Sequence, residues 1–390
     1  MLADAGSIDS QEPDAPPLPP NVVTVDTFGD PPLFIRYRNG AGPWLEPTLT
    51  SDRYEFHIDT HYELVAVCGD ATNGYEVAFE AATYEEVSGE TYLPCFSFGI
   101  DDLDTHPLTG TMVQAGRVSV GMDTDDSQTG NWTFALDAAE GTNDLLAVGG
   151  GRMLLRRDIA VAMPTTTPPI NLVQDGVATT AVALTLNGLL TGETTGTQTY
   201  LFTENSFFVL ADEPSATART APASQITPND AQFVSVDVSG GIYRRSAFKR
   251  HTTASPASTF TLMPRLEGVQ LANSTATWTS LPAGTAELSA GSGISLFRRT
   301  ATEGWLAGKT SLAIDTDVPG FMPEWKLSTI DFARFEVATS QGGASYRSGI
   351  VTPPPSLTTL SRFERAHRAG MRRVSMLHGG GKRRISTRFR

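Results

Sequence analysis

The stretch "WTFALDAAEGTNDLLAV", residues 132–148, contains two short alternating runs on either side of Gly141. In the first run Trp132, Phe134 and Leu136 alternate with small or polar residues. Alternation with a period of two is typical of strands that bury one face. We therefore predict a β-hairpin here, in which a strand, a glycine turn and a return strand cover a hydrophobic core.

A shortened echo of this stretch, "WTSLPAGTAELSA", occurs at residues 278–290. It repeats the order of a Trp-Thr pair, a Gly-Thr pair and a final Leu-x-Ala. The echo predicts that Trp278, Leu288 and Ala290 pack in a later module as their counterparts do in the first. We interpret the repeat as part of the scaffold, so function is to be sought on the loops around it.

The composition also favours strands and turns. The chain has 390 residues, with 36 Gly, 25 Pro and only 18% charged residues, against about 25% charged residues in an average soluble domain. A chain of this length has room for roughly two to four domains. Many Thr, Gly and Pro with few charges indicate short strands and many turns rather than long helices.

Shifts in composition along the chain divide it into six segments. We predict an all-β fold of tandem antiparallel β-sandwich modules between disordered ends. The segments are a Pro- and Asp-rich disordered leader at 1–21, an immunoglobulin-like sandwich at 22–100, a β module at 104–165, a Thr-rich β domain at 168–265, a C-terminal sandwich at 266–352 and a basic disordered tail at 353–390.

The charge is unevenly distributed. The formal net charge is −14, but residues 361–390 carry ten Lys or Arg and one acidic residue. The first 360 residues therefore hold 19 basic and 42 acidic groups. Because phosphate backbones attract basic surfaces, the acidic body is not expected to bind nucleic acid. The basic tail could contact a polyanion or a membrane surface.

Cys68 and Cys95 each lie beside an alternating apolar run, 27 residues apart. In an exported protein they would form a disulfide, which would contribute roughly 3 kcal/mol through loop closure. The alternative is two buried thiols. No signal peptide and no apolar run of about 20 residues is present, but the polar leader resembles the segment that follows the anchoring cysteine of a bacterial lipoprotein. We predict an extracytoplasmic location: secreted, periplasmic or attached to the outer membrane.

Three aspartates, Asp123, Asp125 and Asp126, cluster in "DTDDSQTGN". Loops rich in carboxylate oxygens bind calcium, so these residues are weak calcium candidates. The segment lacks the glycine and the closing glutamate of an EF-hand loop. The alternative interpretation is a solvated acidic loop tip.

Sequence motifs for catalysis are weak. Ser246 and Lys249 have the S-x-x-K spacing of penicillin-binding enzymes, but they lie in strand-rich surroundings where the two side chains would not share a helix turn. No nucleophile elbow and no phosphate-binding loop follows a strand, and we predict no catalytic residues and no cofactor. A competing hypothesis is a hydrolase that uses scattered carboxylates such as Asp315, Asp317 and Glu324.

Aromatic residues near the C-terminal end suggest a further alternative. Four of them lie in or near polar stretches and could form a face on which sugars stack: Trp305, Phe321, Trp325 and Tyr346. The competing interpretation is that they fill the core of the last sandwich. A carbohydrate-binding module is therefore kept as an alternative function.

Residues 30–98 resemble a recurring N-terminal module of uncharacterised exported bacterial proteins, many of them lipoproteins. The resemblance rests on the order of a dipeptide turn, Trp44, Cys68 and Cys95. It implies export and pairing of the two cysteines.

Residues 108–162 resemble the transthyretin-like regulatory domain found beside secreted carboxypeptidases. Gly130, Trp132, Phe134 and the Gly141-Thr142 turn match its pattern, whereas Asn143 replaces the usual Tyr. The resemblance implies that the 104–165 module is a transthyretin-like, non-catalytic domain. The expected function is therefore that of an exported structural or binding protein whose partner is an unknown protein or glycan at the cell envelope.

Overall fold

A computed structural model describes residues 21–27, 31–50, 53–71, 74–92, 95, 105–121, 123–241, 243–266, 268–272, 274–292, 295–327, 330–339 and 342–348. Within these residues the fold is all-β, as predicted, with two short helices. The predicted tail at 353–390 lies outside the described residues, as does the predicted leader at 1–21 except for its last residue.

The first two segments of the chain form fifteen strands and one helix. The first segment comprises β1 (Val22–Asp26), β2 (Phe34–Asn39), β3 (Thr48–Thr50), β4 (Arg53–His57), β5 (His61–Asp70), β6 (Gly74–Thr83), α1 (Tyr84–Val87) and β7 (Glu90–Tyr92). The second comprises β8 (Thr105–Met112), β9 (Gly116–Val120), β10 (Asp123–Ser127), β11 (Trp132–Ala139), β12 (Gly141–Gly149), β13 (Arg152–Val161), β14 (Thr165–Thr166) and β15 (Val177–Ala178). It extends beyond the predicted boundary at residue 165, because β15 pairs with β13.

The last two segments form fifteen more strands and the second helix. The third segment comprises β16 (Thr180–Ala183), β17 (Thr185–Asn187), β18 (Thr194–Phe202), β19 (Phe207–Glu213), β20 (Thr217–Thr220), β21 (Ala231–Ser239), β22 (Tyr243–His251) and β23 (Thr259–Thr261). The fourth comprises β24 (Gln270–Ala272), β25 (Thr275–Thr277), β26 (Thr285–Ser292), β27 (Ser295–Ala301), α2 (Glu303–Leu306), β28 (Ser311–Ala313), β29 (Phe332–Thr339) and β30 (Gly342–Ser348).

One large sheet runs through most of the described part of the chain. Its eleven strands lie in the order β19-β18-β21-β22-β30-β29-β26-β27-β6-β5-β2. Smaller sheets pack on its faces or against one another in the orders β3-β4-β1-β7, β10-β9-β12-β13-β15, β11-β8-β14, β24-β25-β28, β16-β20 and β17-β23. Most neighbours are antiparallel, with parallel pairs at β1–β7, β8–β14, β17–β23 and β6–β27.

The β6–β27 pair joins the beginning of the chain to its end. Leu296 to Ala301 pair in parallel with Glu76 to Ala81. The segments predicted at 22–100 and 266–352 therefore share one sheet. They also share one core, because residues of β5 and β6 are buried together with residues of β26, β27 and β29.

The hairpin of β5 and β6 is buried on both faces. Tyr62 and Leu64 of β5 pack against the sheet that contains β1 and β4, while Val65 and Val67 point into the core shared with the last segment. All four side chains are inaccessible to solvent. A strand buried on both faces needs a sheet or loop on each side, so this hairpin is the centre of a three-layer arrangement.

The predicted hairpin at residues 132–148 is wrong, although its strands and buried residues are confirmed. β11 pairs with β8, whereas β12 pairs with β13 and β9, so the two strands lie in different sheets. Gly141, at φ +115°, begins β12 where the chain crosses from one sheet to the other. Phe134 and Leu136 are 2% and 1% exposed between these sheets. Periodicity indicated which face is buried but not which strand is the partner.

The echo at residues 278–290 makes the same kind of crossing. β25 belongs to the sheet with β24 and β28, and β26 belongs to the large sheet. In both copies the Trp indole donates to a backbone carbonyl, from Trp132 to Gln114 and from Trp278 to Lys309, at 3.1 Å in each case. Trp278 also stacks on Phe335 with ring centroids 5.4 Å apart. The repeated pattern is therefore a connection between the two layers of a sandwich.

A buried ion cluster ties the first segment to the last. The Glu63 carboxylate of β5 accepts from Arg38 of β2 at 2.7 Å and lies 2.8 Å from Arg299 of β27. The side chains of Glu63 and Arg299 are 8% and 7% exposed. Arg299 also donates to the Ala313 carbonyl at 2.7 Å and lies over the Trp305 ring. Burial lowers the pKa of Arg299, and the Glu63 carboxylate opposes that shift.

A second polar group lies in the core beside β1. The Tyr62 hydroxyl and the Thr91 hydroxyl both donate to Glu80 of β6. Desolvation raises the pKa of the Glu80 carboxyl, while these two hydrogen bonds lower it by less. Desolvation and the Glu80 charge together raise the pKa of Tyr62.

We predict that Arg299→Met lowers the free energy of unfolding by about 3 kcal/mol, because it leaves the buried Glu63 with only Arg38. Urea titration of the full chain measures this loss. The double variant Glu63→Gln/Arg299→Met should lose less than the single variant, since no buried charge is then left uncompensated. A single-variant loss close to that of the exposed control Arg53→Met would contradict the prediction.

We predict that Glu80→Gln stabilises the protein at neutral pH. Because the folded-state pKa of Glu80 is raised, its ionisation costs stability as the pH rises from the unfolded-state pKa of about 4.3 through the folded value. The variant's advantage should therefore be absent at pH 4 and grow up to pH 7, as measured by urea unfolding. Glu85→Gln, on the exposed face of α1, is the matched control. An advantage that did not change with pH would assign the effect to packing instead.

Candidate functional site

A cavity in the described part of the chain opens between the second and third segments. It encloses about 400 Å³. One wall comes from β9, β10 and the β12–β13 turn, and the other from β19 and β20. We call it the β19 cleft and define it by Arg117, Asp126, Gly151, Asp212, Glu213 and Arg219.

The floor of the β19 cleft is a contact between two sheets. Leu146 and Met153, on the outer face of the five-stranded sheet, pack against Phe208 and Leu210 of β19. All four side chains are 3% exposed or less. This apolar contact fixes β19 against the second segment and leaves the cleft at the edge of the contact.

Three glycines at the β12–β13 turn shape one wall. Gly150 and Gly151 have φ of +56° and +74°, which is the type I′ geometry of a two-residue hairpin. A Cβ on Gly149 would lie 2.5 Å from the Ala115 carbonyl oxygen, so the turn can approach the start of β9 only without a side chain there. A Cβ on Gly151 would lie 3.4 Å from an Nη atom of Arg219. The turn therefore brings backbone close to a guanidinium group.

Arginines from three parts of the chain meet at the cleft. Arg117 donates to the Val209 carbonyl of β19. Arg219 donates to Glu213 at 2.6 Å, and its side chain is 40% exposed. Arg152 donates to the Leu172 carbonyl at 2.6 Å, which holds the neighbouring loop in place. Arg117 and Arg219 are thus the cations that face the open space, and Arg152 supports the wall.

Three acidic side chains balance these cations. Asp212 accepts from Gln198 at 3.0 Å, Glu213 pairs with Arg219, and Asp126 is exposed at the rim. Burial lowers the pKa of Arg117, and the charges of Asp212 and Asp126 oppose this shift. The three arginines and three acids of the lining have balanced formal charges, in a body whose sequence is strongly acidic. The β19 cleft therefore offers hydrogen-bond donors and acceptors without the repulsion that the rest of the body exerts on an anion.

The lining of the cleft consists mainly of charged side chains, glycines and a few apolar side chains. Among the residues that line the cleft in the described part of the chain there is no histidine, cysteine or serine. The same lining has no aromatic ring on which a sugar could stack.

The three calcium candidates lie in an edge strand rather than in the predicted loop. Asp123, Asp125 and Asp126 belong to β10, which pairs with β9. Alternation in a strand sends Asp126 to the face opposite the other two. Asp126 reaches the β19 cleft, whereas Asp123 and Asp125 point toward β11. Across the described residues, no group of three or more His, Cys, Asp or Glu side chains is placed to hold a metal ion.

Asp123 and Asp125 cap the free edge of β11. The Asp123 carboxylate accepts from the backbone N–H of Asp137 at 2.6 Å, and that of Asp125 accepts from Ala135 at 3.2 Å. These N–H groups lie on the side of β11 away from its partner β8. The two carboxylates therefore link the two sheets of the second segment and protect an edge strand.

The two cysteines form a disulfide. Cys68 of β5 and Cys95 are bonded, with Cα atoms 6.3 Å apart. They are 0% and 4% exposed, on the same face of the central hairpin as Tyr62 and Leu64. The predicted pairing is confirmed.

The carboxylates of the hydrolase hypothesis lie on an exposed stretch that follows β28. Asp315 accepts from the backbone N–H of Asp317 at 3.0 Å, and Asp317 lies 3.7 Å from Lys326. Glu324 is exposed in the 3₁₀ turn Pro323–Trp325. None of the three lines the β19 cleft.

Three of the four aromatic residues considered for sugar stacking are core residues. Trp305, Phe321 and Trp325 are 7%, 9% and 4% exposed and belong to the core shared by the first and last segments. The side chain of Tyr346 lies outside the described part of the structure.

Sequence reasoning missed the arginines of the cleft. Arg117, Arg152 and Arg219 span about a hundred residues, and no motif connects them. The local signal that was present is "GGGR" at residues 149–152, since consecutive glycines before a strand indicate a turn with positive φ. That signal identifies one wall but not what faces it.

Within the residues that the structure describes, no helix is both long enough and apolar enough to cross a membrane. The chain matches no protein-family model and no curated protein.

Proposed function

We propose that the protein is a non-catalytic binding protein that takes a polar ligand in the β19 cleft. The observation that carries this proposal is the open space of about 400 Å³ with charge-balanced guanidinium and carboxylate groups around it. This volume is at the lower end of the range of ligand pockets. The guanidinium fork of Arg219 is suited to a carboxylate or to carbonyl oxygens.

We further propose that the protein works outside the cytoplasm. The Cys68–Cys95 disulfide supports this compartment, because structural disulfides persist in oxidising environments. In this proposal the Pro-rich leader tethers the protein to the bacterial envelope, and the partner is a protein or a glycan found there. The basic tail would add a salt-dependent contact with a polyanion.

The carbohydrate alternative and the protein alternative make different demands on the same cleft. A sugar would rely on the polar groups alone, because the described lining has no aromatic ring. A peptide would use the same groups and also the backbone of β19. Screening against both peptides and glycans therefore tests the binding function without assuming which ligand class is bound.

We predict that the immobilised full chain retains members of a random hexapeptide display library or of a glycan array through the β19 cleft. Arg219→Ala should weaken each retained ligand at least tenfold, because the guanidinium that faces the cleft is gone. Asp126→Ala, at the opposite rim, is a second test that does not depend on the Arg219–Glu213 pair. Affinity is measured by calorimetry on the retained ligand, and thermal melting shows whether each variant is folded.

The control is Arg53→Ala, which removes a comparably exposed arginine from β4. This variant should bind as the unaltered chain does. Ligands that bind equally well to the chain and to both cleft variants would overturn the assignment of the site. The absence of any retained ligand in both screens would overturn the proposed function.

A further inference from the structure

The strand that lines the β19 cleft is the last strand of the eleven-stranded sheet. β19 is hydrogen-bonded to β18 on one side, and in the described part of the chain no strand pairs with its other side. Leu210 to Glu213, the C-terminal half of β19, form one wall of the cleft. An unpaired strand edge presents a row of N–H and C=O groups that another extended chain can use.

Arg117 already occupies one position along this edge. Its guanidinium donates to the Val209 carbonyl, as the N–H of an added strand would. The rest of this edge, from Leu210 to Glu213, faces the open space of the cleft.

The dimensions and chemistry of the cleft suit a short extended peptide. Four strand residues, as in Leu210 to Glu213, span about 13 Å. The side chains around this edge carry both signs of charge: Arg117 and Arg219 are positive, and Asp126 and Asp212 are negative. A peptide backbone has alternating donors and acceptors, so it matches such a wall better than a ligand whose charges are all of one sign.

We propose that the β19 cleft binds an extended peptide segment of a partner protein, which adds to β19 as a twelfth strand of the large sheet. This inference rests on the proposed function and specifies its ligand class. The edge lies inside a cleft whose opposite wall is β9, β10 and the β12–β13 turn. The cleft therefore offers an extended chain the backbone of β19 on one side and polar side chains on the other.

The test uses the most enriched hexapeptide from the display selection and six analogues of it, each N-methylated at one backbone nitrogen. N-methylation removes one N–H donor and leaves the side chains unchanged. In an added strand every second N–H faces the sheet. We expect alternate analogues to bind at least tenfold more weakly than the parent peptide, and the others to bind within about threefold of it.

Hydrogen exchange provides a second measurement on the full chain. The hexapeptide should slow the exchange of those amides in residues 210–213 that point away from β18 at least tenfold. The amides of β2, the strand at the other edge of the same sheet, should be unaffected and serve as the matched control.

Each other outcome overturns the inference in a distinguishable way. Peptide binding without the alternating pattern, or without protection in β19, would mean that side chains alone are recognised. Retention of glycans only, with sensitivity to Arg219→Ala, would overturn strand addition and leave the proposed function standing. Concentration-dependent protection of β19 without peptide would assign the edge to a second copy of the chain. No ligand in either screen would overturn both.

Discussion

The parallel pairing of β6 with β27, locked by the buried Glu63–Arg299 pair, is the constraint on which the rest of the structure depends. It brings the first and last segments into one sheet and one core, so the second and third segments form an insertion held at both ends. The third segment joins the same sheet through the pairing of β22 with β30. Because β18 and β19 are thereby fixed from one side and packed on the second segment from the other, the β19 cleft has two rigid walls.

Arginine solves a general problem of this fold. An all-β chain with long connections leaves many backbone carbonyls without a partner, and such groups are costly when they are buried. Here arginines supply the donors, and a guanidinium can reach two carbonyls at once. Arg152 and Arg245 each bind two loop carbonyls, and Arg157 binds the carbonyl of Gln225. Arg157 of β13 in this way links the second segment to the third.

The sequence predicted strands and their buried faces well and predicted their partners badly. The alternation of Phe134 and Leu136 is local information, and both side chains are buried as expected. The pairing of β11 with β8 instead of β12 depends on residues 20 or more positions away, and alternation contains no such information. The joint between β6 and β27 crosses more than two hundred residues. The cysteine pairing was predictable because only one pair exists.

The β19 cleft was not predicted, because its residues also come from distant parts of the sequence. A comparison of its arginines with those of the core shows how it differs from a contact that only joins two segments. Arg299 and Arg117 both donate to a carbonyl in a strand, Ala313 in β28 and Val209 in β19. Arg299 is enclosed by Glu63 and Trp305 and is 7% exposed. Arg117 has no comparable enclosure, because it is half-buried and lines the open β19 cleft. An arginine bonded to a strand carbonyl protects an edge at β28, whereas the same kind of contact at β19 leaves part of the strand edge available. This difference is the physical basis for placing recognition at β19.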